Sequence, residues 1–153
     1  MKKFIIGVVI VGLVGFGAYF ILKTPAKAPG TQNTNITPPP TDGGVIPQGE
    51  TVTISMTDTG YSPATLNMKM GTTVIFKNDG ENEHWPASAM HPTHTVYPGS
   101  NIEKCNTPDE SKIFDACRGI SKGSSWSFQF NNKGIWRYHD HLYPKLFGSI
   151  TVE

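Results

Sequence analysis

Apolar and polar residues alternate with a period of two through much of residues 51–153. Thr51-Val52-Thr53-Ile54-Ser55-Met56 is one such stretch, residues 65–70 form a second after a Tyr61-Ser62-Pro63 turn, and Gly71 introduces a third, Thr72-Thr73-Val74-Ile75-Phe76. Ser125-Trp126-Ser127-Phe128-Gln129-Phe130 alternates cleanly, Asn131-Asn132-Lys133-Gly134 turns, and two strands close the chain, at 134–138 and 148–152. Such alternation puts successive side chains on opposite faces of a strand. Only residues 109–116 carry a helical pattern, and a weak one. Many short strands with turn signals between them predict an all-β sandwich or barrel.

Two segments precede this domain and follow other rules. Residues 4–22 are uncharged and apolar throughout, flanked by Lys2, Lys3 and Lys23. As a helix they would span ~28 Å at ~1.5 Å per residue, close to the bilayer core. A cleaved signal peptide is the competing reading. The nearest small-x-small site, Ala26-Lys27-Ala28, is followed by Pro29, so residues 1–23 are expected to stay as a transmembrane anchor. The short basic N-terminus then faces the cytoplasm and the domain lies on the extracytoplasmic side, periplasmic or extracellular. Residues 24–50 are rich in Pro, Gly, Thr and Asn, and predict a flexible tether with too little apolar surface to fold.

Composition narrows the function. The whole chain is 37% hydrophobic and 16% charged, which suits one globular domain with attachments. Within residues 51–153, nine Lys and Arg face ten Asp and Glu, leaving −1 with His neutral. Nucleic acid is therefore not an expected partner, since phosphate binding needs a basic face. No glycine-rich phosphate loop and no Ser/His/Asp nucleophile motif occurs. In an exported domain Cys105 and Cys117, 12 positions apart, read as a disulfide worth ~3 kcal/mol rather than as metal thiolates. Trp85, Trp126 and Trp136 read as packing residues, one of which can also wall a site.

The chemistry lies in the histidines. His139 and His141 stand two apart where a strand runs into a loop, so both imidazoles share one face, a metal-ligand geometry. The other three, His84, His91 and His94, crowd into one short segment.

The run YSPATLNMKMGTTVIFKNDGENEH resembles the first half of the cupredoxins, small copper-binding Greek-key sandwiches of the plastocyanin kind. Val74, Phe76, Asn78 and then His84 follow the order in which that family's strand leads to its first histidine ligand. The closing WRYHDHLYPKLFGSITV resembles the family's last loop. Gly148, Ile150 and Val152 match its finish, and His141 falls about where the second histidine stands. The resemblance covers most of 51–153 and implies a Greek-key β-sandwich, here with one or two short helical turns between residues 101 and 122. It departs where a blue-copper protein has its thiolate, for this chain offers Tyr138, His139 or Asp140, and Leu146 replaces the methionine. The histidine pairs also resemble multicopper oxidases, whose domains carry His-Pro-x-His and His-Cys-His elements. Here these read His91-Pro92-Thr93-His94 and His139-Asp140-His141. That likeness implies that His94, His139 and His141 match non-blue copper ligands.

The resulting expectation is Cu(II), with zinc as the alternative, held by three or four of His84, His94, His139 and His141 at one end of the sandwich, with His91 close by. Asp140, pointing away from its neighbours, would act as a hydrogen-bond acceptor behind them or an occasional oxygen ligand. The expected role is a membrane-tethered copper-handling or electron-transfer protein with a redox or copper-delivery partner, more a carrier than an enzyme. A small mononuclear-metal enzyme acting on a small oxidant and a non-metal interaction module on a stalk are the other two readings.

Overall fold

The alternation closes into two sheets because one face of each strand must leave water. The computed structural model describes residues 48–153. The anchor expected at 4–22 and most of the expected tether lie outside the described residues. Among the described residues no helix is long and apolar enough to cross a membrane.

The first sheet contains β1 (Thr51–Thr57), β2 (Gly60–Ser62), β4 (Thr73–Asn78) and β6 (Ser125–Gln129), ordered β2-β1-β4-β6. The second contains β3 (Thr65–Met68), β5 (Pro86–Ser88), β7 (Gly134–Asp140) and β8 (Phe147–Val152), ordered β3-β8-β7-β5. Both are mixed: β1 runs parallel to β4 and β3 parallel to β8, while the other pairs are antiparallel. From β2 to β7 the chain changes sheet at every connection, the crossing expected of a Greek-key sandwich. Two 3-10 turns, Ile102–Lys104 and Glu110–Lys112, are the helical content between 101 and 122.

In each long strand the even-numbered residues face inward. Val52, Ile54 and Met56 of β1, Val74 and Phe76 of β4, Leu66 and Met68 of β3, and Ile150 and Val152 of β8 are all buried. Phe76 lies at the centre, its ring centroid 5.4 Å from Tyr138, 5.7 Å from Trp126 and 5.8 Å from Phe114. Each fully buried side chain of this size contributes roughly 1.5–3 kcal/mol. Gly148 is required by close approach: a Cβ there would stand 2.3 Å from the Tyr138 hydroxyl and 2.7 Å from the Ala64 carbonyl oxygen.

A short segment extends the second sheet. Ser88 N–H donates to the Phe114 carbonyl at 2.8 Å and Ala116 N–H to the Pro86 carbonyl at 3.0 Å, so residues 114–116 pair antiparallel with the free edge of β5. Asp115 then stands opposite Ala87, which stands opposite His139 on β7. Cross-strand partners share a face. Asp115, Ala87 and His139 therefore lie on the side turned away from the core, while Phe114 and Tyr138 lie within it.

Candidate metal centre

His139 and His141 have the same parity on an extended chain, and both emerge on the outer face of the second sheet. The segment carrying His91 and His94 folds over them. It is tied at one end by Ala89 N–H to the Arg137 carbonyl, 2.9 Å, and at the other by Tyr97, whose ring packs at 5.2 Å against Trp136 and whose N–H donates to Ser88 Oγ. His94 is fully buried with φ +58°, left-handed backbone that costs a non-glycine residue roughly 1–2 kcal/mol. The chain bears this strain where it turns the His94 ring into the cluster.

Each of His91, His94, His139 and His141 offers one ligand atom, and these atoms all lie within 4.8 Å of one another. His94 Nε2 and His141 Nδ1 are 3.0 Å apart. His94 Nδ1 lies 2.5 Å from Asp115 Oδ2 and donates to it, because a carboxylate only accepts, and this leaves the Nε2 lone pair facing the other imidazoles. Both nitrogens of His139 are buried without a hydrogen-bond partner. Unpartnered buried nitrogens are costly in a protein interior, and a metal ion is a group they could bind. Trp85 walls the site, its ring centroid 4.4 Å from His141, with Nε1–H donating to Asp115 Oδ1 at 2.6 Å.

The electrostatics suit ligation. Burial first, then the neighbouring His94, His91 and His141, pull the His139 pKa down from 6.5 to about 4. His141 is lowered for the same reasons, burial foremost. His139 is thus neutral at pH 7 with a lone pair available. Burial would raise the Asp115 carboxyl, but hydrogen bonds from His94, Trp85 and Cys117 N–H override it and hold it below the usual carboxylate range.

His84 does not join the cluster, contrary to the sequence expectation. Its Nδ1 lies 2.6 Å from Asp140 Oδ2 and its Nε2 lies 3.3 Å from Asp58 Oδ1, so both ring nitrogens are taken by carboxylates. Asp140 does point away from its neighbours, but it backs none of the clustered imidazoles. Its Oδ1 accepts N–H bonds from Trp85, Leu142 and Tyr143, and its Oδ2 is taken by His84. The acceptor behind the clustered imidazoles is Asp115, on His94. The cluster sits on the outer face of the second sheet, near one end. Cys105 and Cys117 form the expected disulfide.

No family model and no curated protein matches this chain. Solved structures do. A reduced, singly substituted amicyanin is 19% identical over 73% of this chain and 84% of that one, with a TM-score of 0.52. A purple cupredoxin from Nitrosopumilus maritimus is 20% identical over 66% of this chain and 98% of that one, TM-score 0.50. A copper-containing nitrite reductase from Thermus scotoductus SA-01 is 20% identical with a TM-score of 0.51, and this chain spans 22% of its length. The fold is that of the cupredoxins. Within this fold His84, which follows the Val74-Phe76-Asn78 strand, bonds to Asp140, the middle residue of His139-Asp140-His141. The four other histidines gather on the opposite side of β7.

Proposed function

We propose that this protein is a copper-binding cupredoxin-like module with a non-blue, all-imidazole centre, which carries or delivers copper or passes electrons to a protein partner. The observation that carries the reading is the convergence of His91, His94, His139 and His141, with both His139 nitrogens buried and unpartnered. Neutral imidazoles suit Cu(II), which stands above its neighbours in the divalent affinity order. Bound copper would supply one-electron chemistry. The chain supplies three inner imidazoles fixed by β7 and the 89–97 segment, an acceptor in Asp115 that orients His94, and an apolar wall in Trp85. His91 is the most exposed of the four and makes the fourth ligand readily reachable from solvent. That opening also favours a second reading, a mononuclear centre acting on a small oxidant, which needs an accessible coordination position.

We place the domain outside the cytoplasm on a membrane anchor formed by residues 4–22. The Cys105–Cys117 bond supports an oxidising compartment, and the length of the apolar run supports the anchor.

Copper uptake by the full-length protein in detergent, against a His139→Ala, His141→Ala double variant, tests the centre. We expect one equivalent of Cu(II), weak visible absorption and a type 2 electron paramagnetic resonance signal, all lost in the double variant. Unchanged affinity in the variant would remove β7 from the site, and an intense blue colour in the wild type would contradict all-imidazole ligation. Exclusive uptake of zinc would replace copper, and no uptake of either would leave the interaction module. Peroxide or superoxide turnover would favour the enzyme. Recovery of a soluble chain beginning near Pro29 would overturn the anchor.

A further inference from the structure

Asp115 faces two ways. One oxygen holds His94, and the other accepts the Cys117 N–H at 2.8 Å as well as the Trp85 indole. An Asp115 oxygen and the sulfurs of Cys105 and Cys117 also lie within 4.8 Å of one another. Both cysteines are half-buried. A cavity of about 520 Å³, lined among others by Asp115, Arg118 and Trp126 but by neither cysteine, opens to solvent.

We propose that reduction of Cys105–Cys117 turns this corner into a second metal site, made of the two cysteine sulfurs and one Asp115 oxygen, for a thiophilic closed-shell ion such as Cu(I). The disulfide takes two electrons and two protons from a dithiol, which leaves as its own disulfide, or two electrons from a phosphine and two protons from a water molecule, whose oxygen leaves on the phosphine oxide. On capturing the ion, the two thiols release two protons. Their Cα atoms are 5.3 Å apart, so both sulfurs can reach one ion at ~2.3 Å each. Soft thiolates favour Cu(I), whereas the imidazole cluster favours Cu(II). Because Asp115 serves both sites, its capture on the sulfur side loosens His94 on the other. With one further electron per ion from the same dithiol or phosphine, Cu(II) leaving the imidazoles would be held on the sulfurs as Cu(I), a consequence that rests on the copper reading above. The sulfur site itself does not.

The test reduces the full-length protein with a phosphine, removes the reductant without oxygen, and titrates Cd(II) as the probe while following the ultraviolet thiolate-to-cadmium band. We expect one equivalent in the reduced protein and no band in the oxidised protein or in a reduced Cys105→Ser, Cys117→Ser variant. Asp115→Asn should keep the band with affinity weakened at least about tenfold. Absence of the band in reduced wild type, or equal affinity in Asp115→Asn, overturns the site. Loss of β-sheet circular dichroism on reduction overturns it as well, because the three groups meet only in the folded corner. Imidazoles give no such band, so failure of the histidine centre would leave this result standing.

Discussion

Lowering the pH from 7 to 5 should destabilise the metal-free protein, chiefly through the ring of His139. In the unfolded chain this imidazole titrates near 6.5, and in the fold near 4, chiefly because it is buried. Above pH 6.5 both states leave it neutral and it contributes nothing to the pH dependence. Below that the unfolded state takes up a proton that the native state refuses, so stability falls as pH drops and levels off below about pH 4. At about 1.4 kcal/mol per unit, the difference would cost about 2 kcal/mol at pH 5 and about 3 kcal/mol at full protonation. The open side next to His91 screens part of this, so about 1–2 kcal/mol at pH 5 is the expected loss. His141 acts in the same direction. The carboxyls of Asp58, Asp79 and Asp115 are held below 3.8 and act at lower pH. Urea unfolding of chelator-treated protein at pH 7, 6 and 5, followed by tryptophan fluorescence, measures the slope, and His139→Gln should flatten it by that amount. Equal stability of the wild type at pH 5 and 7, or equal slopes in the two proteins, would refute the burial argument.

Other substitutions separate the parts. His84→Gln removes the imidazole partner of the fully buried Asp140 and should cost about 1–3 kcal/mol in urea unfolding, the range for a buried acceptor left short of a donor, while the folded fraction keeps its copper stoichiometry. Asp115→Asn should weaken Cu(II) binding by about 10–100-fold in a chelator competition, with the visible spectrum little changed. Gly148→Ala should destabilise by at least about 1–3 kcal/mol, because the Tyr138 ring has no room to retreat, and a stability equal to wild type would show that β8 can shift.

Much of this was legible in the chain. The period-two runs place Val52, Ile54, Val74 and Phe76 inside before any coordinates are seen, and the spacing of His139 and His141 puts both rings on one face. Cys105 and Cys117 pair as their context suggests. His84 shows the limit of motif matching, since the strand leading to it fits the family order but its ring meets a carboxylate. A signal was present in Asp140 between two histidines, a group able to occupy an imidazole nitrogen. Asp115 carries no local sign at all. It sits in an irregular stretch between the cysteines, and only the long-range pairing of residues 114–116 with β5 brings it beneath His94.

The tripeptide His139-Asp140-His141 answers to two separate constituencies. Its odd members face the imidazole cluster, and its even member serves the structure through His84 and three backbone amides. On the proposed copper reading, a change in the metal's identity or affinity would therefore accumulate on one side of β7 without a toll on the other. In evolutionary terms the strand is a two-sided ledger on which a site can be erased, moved across and rewritten while the sandwich stays standing. The same division invites engineering, since ligands at 91, 94, 139 and 141 can be varied as a set while 84, 58 and 140 are left untouched.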